Sequence, residues 1–170
     1  MFDAQALLAG DENALADAVD TLSPELYRYA VGIVLTRMDA EDAVQTAFVA
    51  LWRHRTAVMN PEAVRAYLYR CTYRACVDLI RKNRLFAAPA GREESPLSAP
   101  LSEEMTAALS RLSPVERAIV YERAVTETPY DELAAHLGIR ADAARKKYER
   151  AKKKLARLLP GMRTEENDEE

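Results

Sequence analysis

Glycine is scarce in this 170-residue chain, five in all. None of the five stands in the spaced cluster that lets a backbone close around a phosphate, so a nucleotide-cradling loop is excluded. Cysteine is scarcer still. Cys71 and Cys76 are five apart on one predicted helix, which points them to different faces and excludes both a mutual disulfide and a shared metal. They read as small core residues. The two histidines, His54 and His136, have no partners at ligand spacing and read as surface or packing residues. No metal or cofactor is expected. Acids such as Asp131 and Glu132, or Glu93 and Glu94, fall in predicted cap and linker positions, where solvation explains them better than general acid or base work. The chain is not expected to be an enzyme. No apolar run approaches the ~20 residues needed to cross a bilayer, and Met1-Phe2-Asp3 lacks the positive start of a secretion signal. A cytoplasmic location without membrane insertion is expected.

What is present is helix-forming. Ala, Leu, Arg and Glu dominate, and the eight tyrosines outnumber the three phenylalanines, a balance that favours an all-α protein. Net charge is −3, but it is segregated. Residues 1–26 hold six acids and no base, whereas residues 65–84 hold six bases and one acid, Asp78. From Arg140 to Arg157 nine bases stand against Asp142 and Glu149, a local charge of +7.

That basic run lies in the last predicted helix, 138–159, where Ala144, Tyr148, Ala151, Leu155 and Leu158 recur at the spacing of one face. The preceding helix starts at Thr128-Pro129-Tyr130-Asp131, with Thr128 as a hydroxyl cap, and stops at Gly138. Short helix, glycine turn and basic helix together predict a helix-turn-helix, in which the second helix enters the major groove. A solvated, lysine-rich terminal helix of an ordinary bundle is the alternative from charge alone.

Upstream, the pattern predicts helices over 3–9 and 12–22 broken at Gly10, another opening at Ser23-Pro24-Glu25 and running through Arg37, and one over 40–54 capped by Asp39. The last buries Ala43, Val44, Ala47, Phe48, Leu51 and Trp52 and leaves Glu41, Asp42, Gln45, Val49 and Arg53 outward. Asn60-Pro61 opens a long helix to about Arg84. Val64, Leu68, Cys71, Ala75 and Leu79 face its bundle, with Tyr67, Arg70, Arg74 and Arg81 on a neighbouring stripe. Rings interleaved with guanidiniums suit unpaired bases, though tyrosines also pack and arginines also solvate bundle surfaces. Residues 87–100, rich in proline and serine, read as a flexible linker. They divide a helical domain at 1–86 from a helix-turn-helix domain at 101–160, and an acidic tail, 161–170, is expected to be disordered and to shield the basic helix. In the second domain Ser102 starts a helix to about Leu112, and Ser113-Pro114-Val115-Glu116 is a capping box.

Three stretches taken together resemble the extracytoplasmic-function (ECF) group of bacterial sigma factors: DAEDAVQTAFVALW at 39–52, YLYRCTYRACVDLIRKNR at 67–84, and LSPVERAIVYERAVTETPYDELAAHLGIRADAARKKYERAKKKL at 112–155. The resemblance implies region 2 and region 4 domains of a factor that binds core RNA polymerase and initiates transcription at promoters with minus 35 and minus 10 elements. It places the docking surface for the β′ clamp helices at Asp42, Gln45 and Val49, with Phe48 and Trp52 supporting it from the core, and further implies contact with the β flap. It maps the minus 10 specificity loop onto 55–60, with Asn60 against a flipped base, and gives the adjoining DNA to Tyr67, Arg70, Arg74 and Arg81. It assigns minus 35 reading to Arg145, Lys146, Glu149 and Arg150, with Lys147 and Lys153 on phosphate. An anti-sigma factor is an expected partner. The chain departs from the pattern at Arg140, where a hydroxyl usually caps the recognition helix, at Ala144 for valine, at Thr46 for glutamate, at Arg74 for asparagine and at Tyr67 for tryptophan. Two other classes remain open on sequence: a stand-alone helix-turn-helix regulator of duplex DNA, and a sigma-like adaptor that opens no DNA.

Overall fold

A computed structural model describes residues 1–85 and 101–161. The expected linker at 87–100 and the tail from 162 onward lie outside the described residues. Among those described, the regular elements are all helical: α1 (Ala4–Ala9), α2 (Glu12–Val34), α3 (Arg37–His54), a short 3-10 turn (Arg55–Ala57), α4 (Ala63–Leu85), α5 (Glu103–Leu109), α6 (Pro114–Ala124), α7 (Tyr130–Leu137) and α8 (Ala141–Leu158).

Helix starts are largely where side-chain caps put them. Asp3 and Asp11 accept the free amides of α1 and α2. Ser102 does so for α5, and Ser113 and Glu116 close a full capping box around Pro114. Three expected starts are corrected. Pro24 does not begin a helix; it lies inside α2. Proline costs an interior helix about 3 kcal/mol, but Ala18, Leu22, Leu26, Ala30 and Ile33 form one buried stripe across it. Burying each large member contributes ~1.5–3 kcal/mol, which outweighs the interruption. Asp39 does not cap α3, which starts nearly one turn earlier after Thr36; Asp39 instead accepts bonds from Thr36 Oγ1 and Asn83 Nδ2, both at 2.9 Å, tying the start of α3 to the end of α4. Thr128 does not cap α7 either. Its hydroxyl pairs with Thr126 Oγ1 at 2.8 Å and its carbonyl accepts from Arg123 at 2.9 Å, leaving Pro129 at the cap.

Helices α2, α3 and α4 pack on one another, and α6, α7 and α8 do likewise; α2 further contacts α6, and α4 contacts α7. One continuous buried cluster therefore runs through both halves, from Leu7, Leu26, Tyr29 and Leu68 to Ile119, Leu133 and Ala144. A smaller one joins Leu109, Leu112 and Ala151. Leu158, expected in the core, is 40% exposed, and Leu159 is buried where the chain leaves the helix.

Cys76 is buried and Cys71 half-buried. Burial pushes the Cys76 thiol up to about 12 and raises Cys71 as well. At pH 8 the folded protein is therefore expected to hold Cys76 at a thiolate fraction roughly a thousandfold below that of an ordinary cysteine near 9. Timed alkylation followed by peptide mass analysis should find Cys76 unmodified until the chain is denatured.

Candidate nucleic-acid interface

The helix-turn-helix forms as its residues require. Gly138 is left-handed, with φ +66°, and its amide closes α7 on Ala134. A Cβ there would meet nothing within 4 Å, so the demand for glycine is conformational rather than spatial. Gly138→Ala is expected to lower stability by about 1 kcal/mol, without a steric clash; thermal unfolding by circular dichroism checks it.

Helix α8 buries Ala144 and Ala151 and half-buries Tyr148 and Leu155, which turns Arg145, Lys146, Glu149, Arg150 and Lys153 to solvent and half-covers Lys147. Arg140 occupies the cap position without a side-chain cap bond, as the missing hydroxyl implies. The second turn is held from the side instead. Tyr130 packs edge-on to Tyr148, centroids 6.2 Å apart, and carries the Arg145 guanidinium at 4.9 Å and that of Arg123 at 4.4 Å. Lys154 lies 3.8 Å from Glu116 and ties α8 to α6.

A second cationic surface lies on α4. Arg74 and Arg81 are exposed, Tyr67 and Arg70 half-buried, and the Arg70 guanidinium stands 5.6 Å from the Tyr67 ring centre. Burial raises the Tyr67 hydroxyl above its ordinary value. Asn60 is exposed, and its Oδ1 accepts the Ala63 amide at 2.9 Å, so the residue caps α4 with its amide nitrogen pointing away from that bond. The segment leading to it is anchored by Arg55, which lies 4.3 Å over Trp52, donates to the Trp52 carbonyl at 2.6 Å and packs beside Gly10. Sequence reading grouped Arg55 with the loop but gave it no role. Its only sequence signal is the aromatic three residues earlier.

A third surface lies on α3. Asp42, Gln45 and Val49 are exposed on successive turns, Val49 at 48%, and Phe48 is buried beneath them with Trp52 half-buried. Asp42 also borders a shallow cleft of about 180 Å³ against Ala75, Asp78, Leu79 and Lys82.

Between the halves lies a network that sequence reading missed. Glu122 is fully buried; Oε1 accepts from Tyr29 at 2.9 Å and Oε2 lies 2.7 Å from His136 Nδ1. His136, 5% exposed, is thus a packing residue, with a buried acid as partner that the sequence reading did not foresee. Tyr69 stacks on His136 at 5.3 Å and packs tilted against Tyr29 at 4.8 Å, and its hydroxyl, like Arg65, bonds Glu25. Burial, reinforced by the Glu122 charge, drives the Tyr29 hydroxyl well above its ordinary value and keeps it a donor. The available signal was a lone acid after Ala118-Ile119-Val120-Tyr121, but its partners lie 93 and 14 residues away.

Comparison with known proteins agrees with this division. The Sigma-70 region 2 family model matches residues 18–86, and the Sigma-70 region 4 model matches residues 102–155. The ECF RNA polymerase sigma factor SigM of Mycobacterium tuberculosis is 29% identical over 94% of this chain and 84% of its own length. SigE of Mycolicibacterium smegmatis is 27% identical over 94% of this chain and 66% of its own length. Among solved structures, CnrH in complex with the cytosolic domain of CnrY superposes with a TM-score of 0.71 at 25% identity, over 94% of this chain and 96% of that one. RpoE of Bartonella quintana, in complex with the anti-sigma factor NepR, gives 0.71 at 19% identity, over 87% of this chain and 98% of that one, a likeness of fold. With both region models matched in order across most of its length, the chain belongs to the extracytoplasmic-function group of bacterial RNA polymerase sigma factors.

Proposed function

We propose that this chain is a promoter-specificity subunit: it docks on core RNA polymerase through the α3 surface, reads minus 35 duplex with α8 and holds the melted minus 10 strand on α4. The observation that carries the reading is the pairing of two cationic surfaces, on helices belonging to the two matched regions, each turned away from the core. Chemistry fits each role. Arg145 and Arg150 can pair with guanine O6 and N7, Glu149 can accept from cytosine N4, and Lys146, Lys147 and Lys153 suit phosphate or base edges. On α4, Tyr67 offers a ring for stacking, while Arg70, Arg74 and Arg81 neutralise phosphate. Asn60 contributes an amide nitrogen beside a splayed base. Asp42, Gln45 and Val49 form a small mixed patch that suits the β′ clamp helices, and the second half would meet the β flap. Binding energy then drives strand opening, with no hydrolysis by this chain.

CnrH and RpoE are each solved with a partner that their structures name, and an anti-sigma factor of comparable role is proposed here. Among the described residues no helix is long and apolar enough to cross a membrane. Run-off transcription with bacterial core enzyme on a promoter library tests the function. Transcripts that start at a common upstream motif only when the chain is added would support it; none from any template would refute it.

A further inference from the structure

We propose that α1 is a strut for the segment carrying Asn60: Gly10 seats the Arg55 guanidinium, Arg55 fixes the turn that follows it, and the pair sets how stringently one minus 10 base is selected. The strut stands on geometry alone; its effect on base selection rests on the sigma-factor reading above.

Helix α1 precedes the stretch that the region 2 model matches, which begins at residue 18. It nevertheless packs against the 3-10 turn at Arg55–Ala57 as well as against α2. Gly10 closes α1 with φ +99°, a conformation that other residues resist. A Cβ there would stand 3.5 Å from both Nε and Nη2 of Arg55, so the bare glycine lets the guanidinium lie close against the backbone. The same guanidinium lies 4.3 Å from the Trp52 ring centre and donates through Nη1 to the Trp52 carbonyl at 2.6 Å. That carbonyl belongs to the last turn of α3, where helical acceptors lack partners and the dipole favours a cation. Among the described residues no carboxylate pairs with Arg55, so ring, carbonyl and glycine fix its position rather than an ion pair.

What Arg55 holds is the start of a sparsely attached segment. After it, Val58 is half-buried, while Thr56, Ala57, Met59 and Asn60 are exposed. The Val58 amide donates back to the Arg55 carbonyl at 3.2 Å and closes the turn. Asn60 is pinned from the other side, where its Oδ1 accepts the Ala63 amide at 2.9 Å. Two pinned ends leave the Asn60 amide little play. A base is told from its competitors by hydrogen bonds of fixed length and angle, and a shift of about 1 Å surrenders them. Arg55 is thus a positioning residue that acts on the base through Asn60.

Three variants separate the roles. Arg55→Ala removes the guanidinium, Arg55→Lys keeps the charge without the flat fork, and Gly10→Ala attacks the seat from α1 by adding a methyl at an unfavourable φ. Amide exchange of the full chain reads the strut: in Arg55→Ala and Gly10→Ala the Val58 amide should exchange roughly tenfold faster while α2 and α4 keep their protection. Wild-type exchange in both overturns it. Transcription by holoenzyme reconstituted with bacterial core, on a promoter library randomised across the minus 10 and minus 35 segments, reads selection. Both variants should lower the preference for the favoured base at one minus 10 position roughly tenfold and leave minus 35 preferences unchanged. Arg55→Ala added to Asn60→Ala should cost no further selectivity, because the two residues act in series. Unchanged minus 10 selection, or additive losses in the double variant, overturns the positioning role. So does an equal loss on every minus 10 sequence that Arg55→Lys restores, which is the signature of a direct phosphate contact. No transcripts with the wild-type chain would refute the sigma-factor reading, while amide exchange still decides the strut.

Discussion

Arg70→Ala combined with Arg74→Ala is expected to abolish promoter opening while leaving polymerase affinity unchanged. Both side chains sit on the α4 stripe outside the bundle core, Arg74 exposed and Arg70 half-buried against Tyr67. Their removal therefore leaves the α2–α3–α4 packing intact. On the proposed reading each would contribute a charge-assisted contact to the melted strand, worth about 1.5–3 kcal/mol. Losing two costs on the order of 3 kcal/mol or more, a hundredfold or greater drop in open complex. Permanganate reactivity of minus 10 thymines reads the opening, and native gel shift of the polymerase reads the docking. Unchanged melting would assign α4 a merely solvating role and favour an adaptor that opens no DNA.

The second large effect concerns α3. Asp42→Arg with Val49→Arg should remove polymerase binding, by about 2–4 kcal/mol or some thirty- to a thousandfold in Kd. Val49 is a large apolar side chain left 48% exposed above buried Phe48, and Asp42 lies two turns before it on the same face. On the proposed reading, the double variant would put two positive charges where the docked polymerase meets an apolar side chain and a negative charge. The substituted helix should keep its fold, because neither residue belongs to the buried set of α3. Isothermal titration of core polymerase separates the outcomes, and wild-type affinity would move the docking surface elsewhere.

Much of the fold was legible because it is written locally. Asp11, Ser102 and the Ser113 capping box announced α2, α5 and α6, and apolar stripes at helical spacing gave the buried faces of α3 and α8. Where local signals competed, tertiary burial decided. A proline with a good cap before it, Ser23-Pro24, yielded to a stripe of leucine and alanine continuing beneath it. Thr128, a sound cap by type, was drawn into a turn by Thr126 and Arg123. The cationic surfaces were legible too, because charge must stay in water and so marks the outer faces of a helix. What sequence could not carry was the contact between halves. Tyr29, Glu122 and His136 come from three helices, and only the folded chain brings them within hydrogen-bond reach. Nor does charge patterning reveal that Arg145 rests on Tyr130, or that Arg55 serves Trp52 and Gly10 rather than pointing outward.

The measurement closest to the central claim is titration of a fluorescent promoter duplex with the purified chain, in the presence and absence of bacterial core polymerase. Two cationic surfaces that work together only when a larger enzyme spaces them should give weak, salt-sensitive binding by the chain alone and tight, sequence-specific binding once core polymerase is added. Tight sequence-specific binding by the free chain, unchanged by polymerase, would contradict the account and make the protein a duplex-binding regulator.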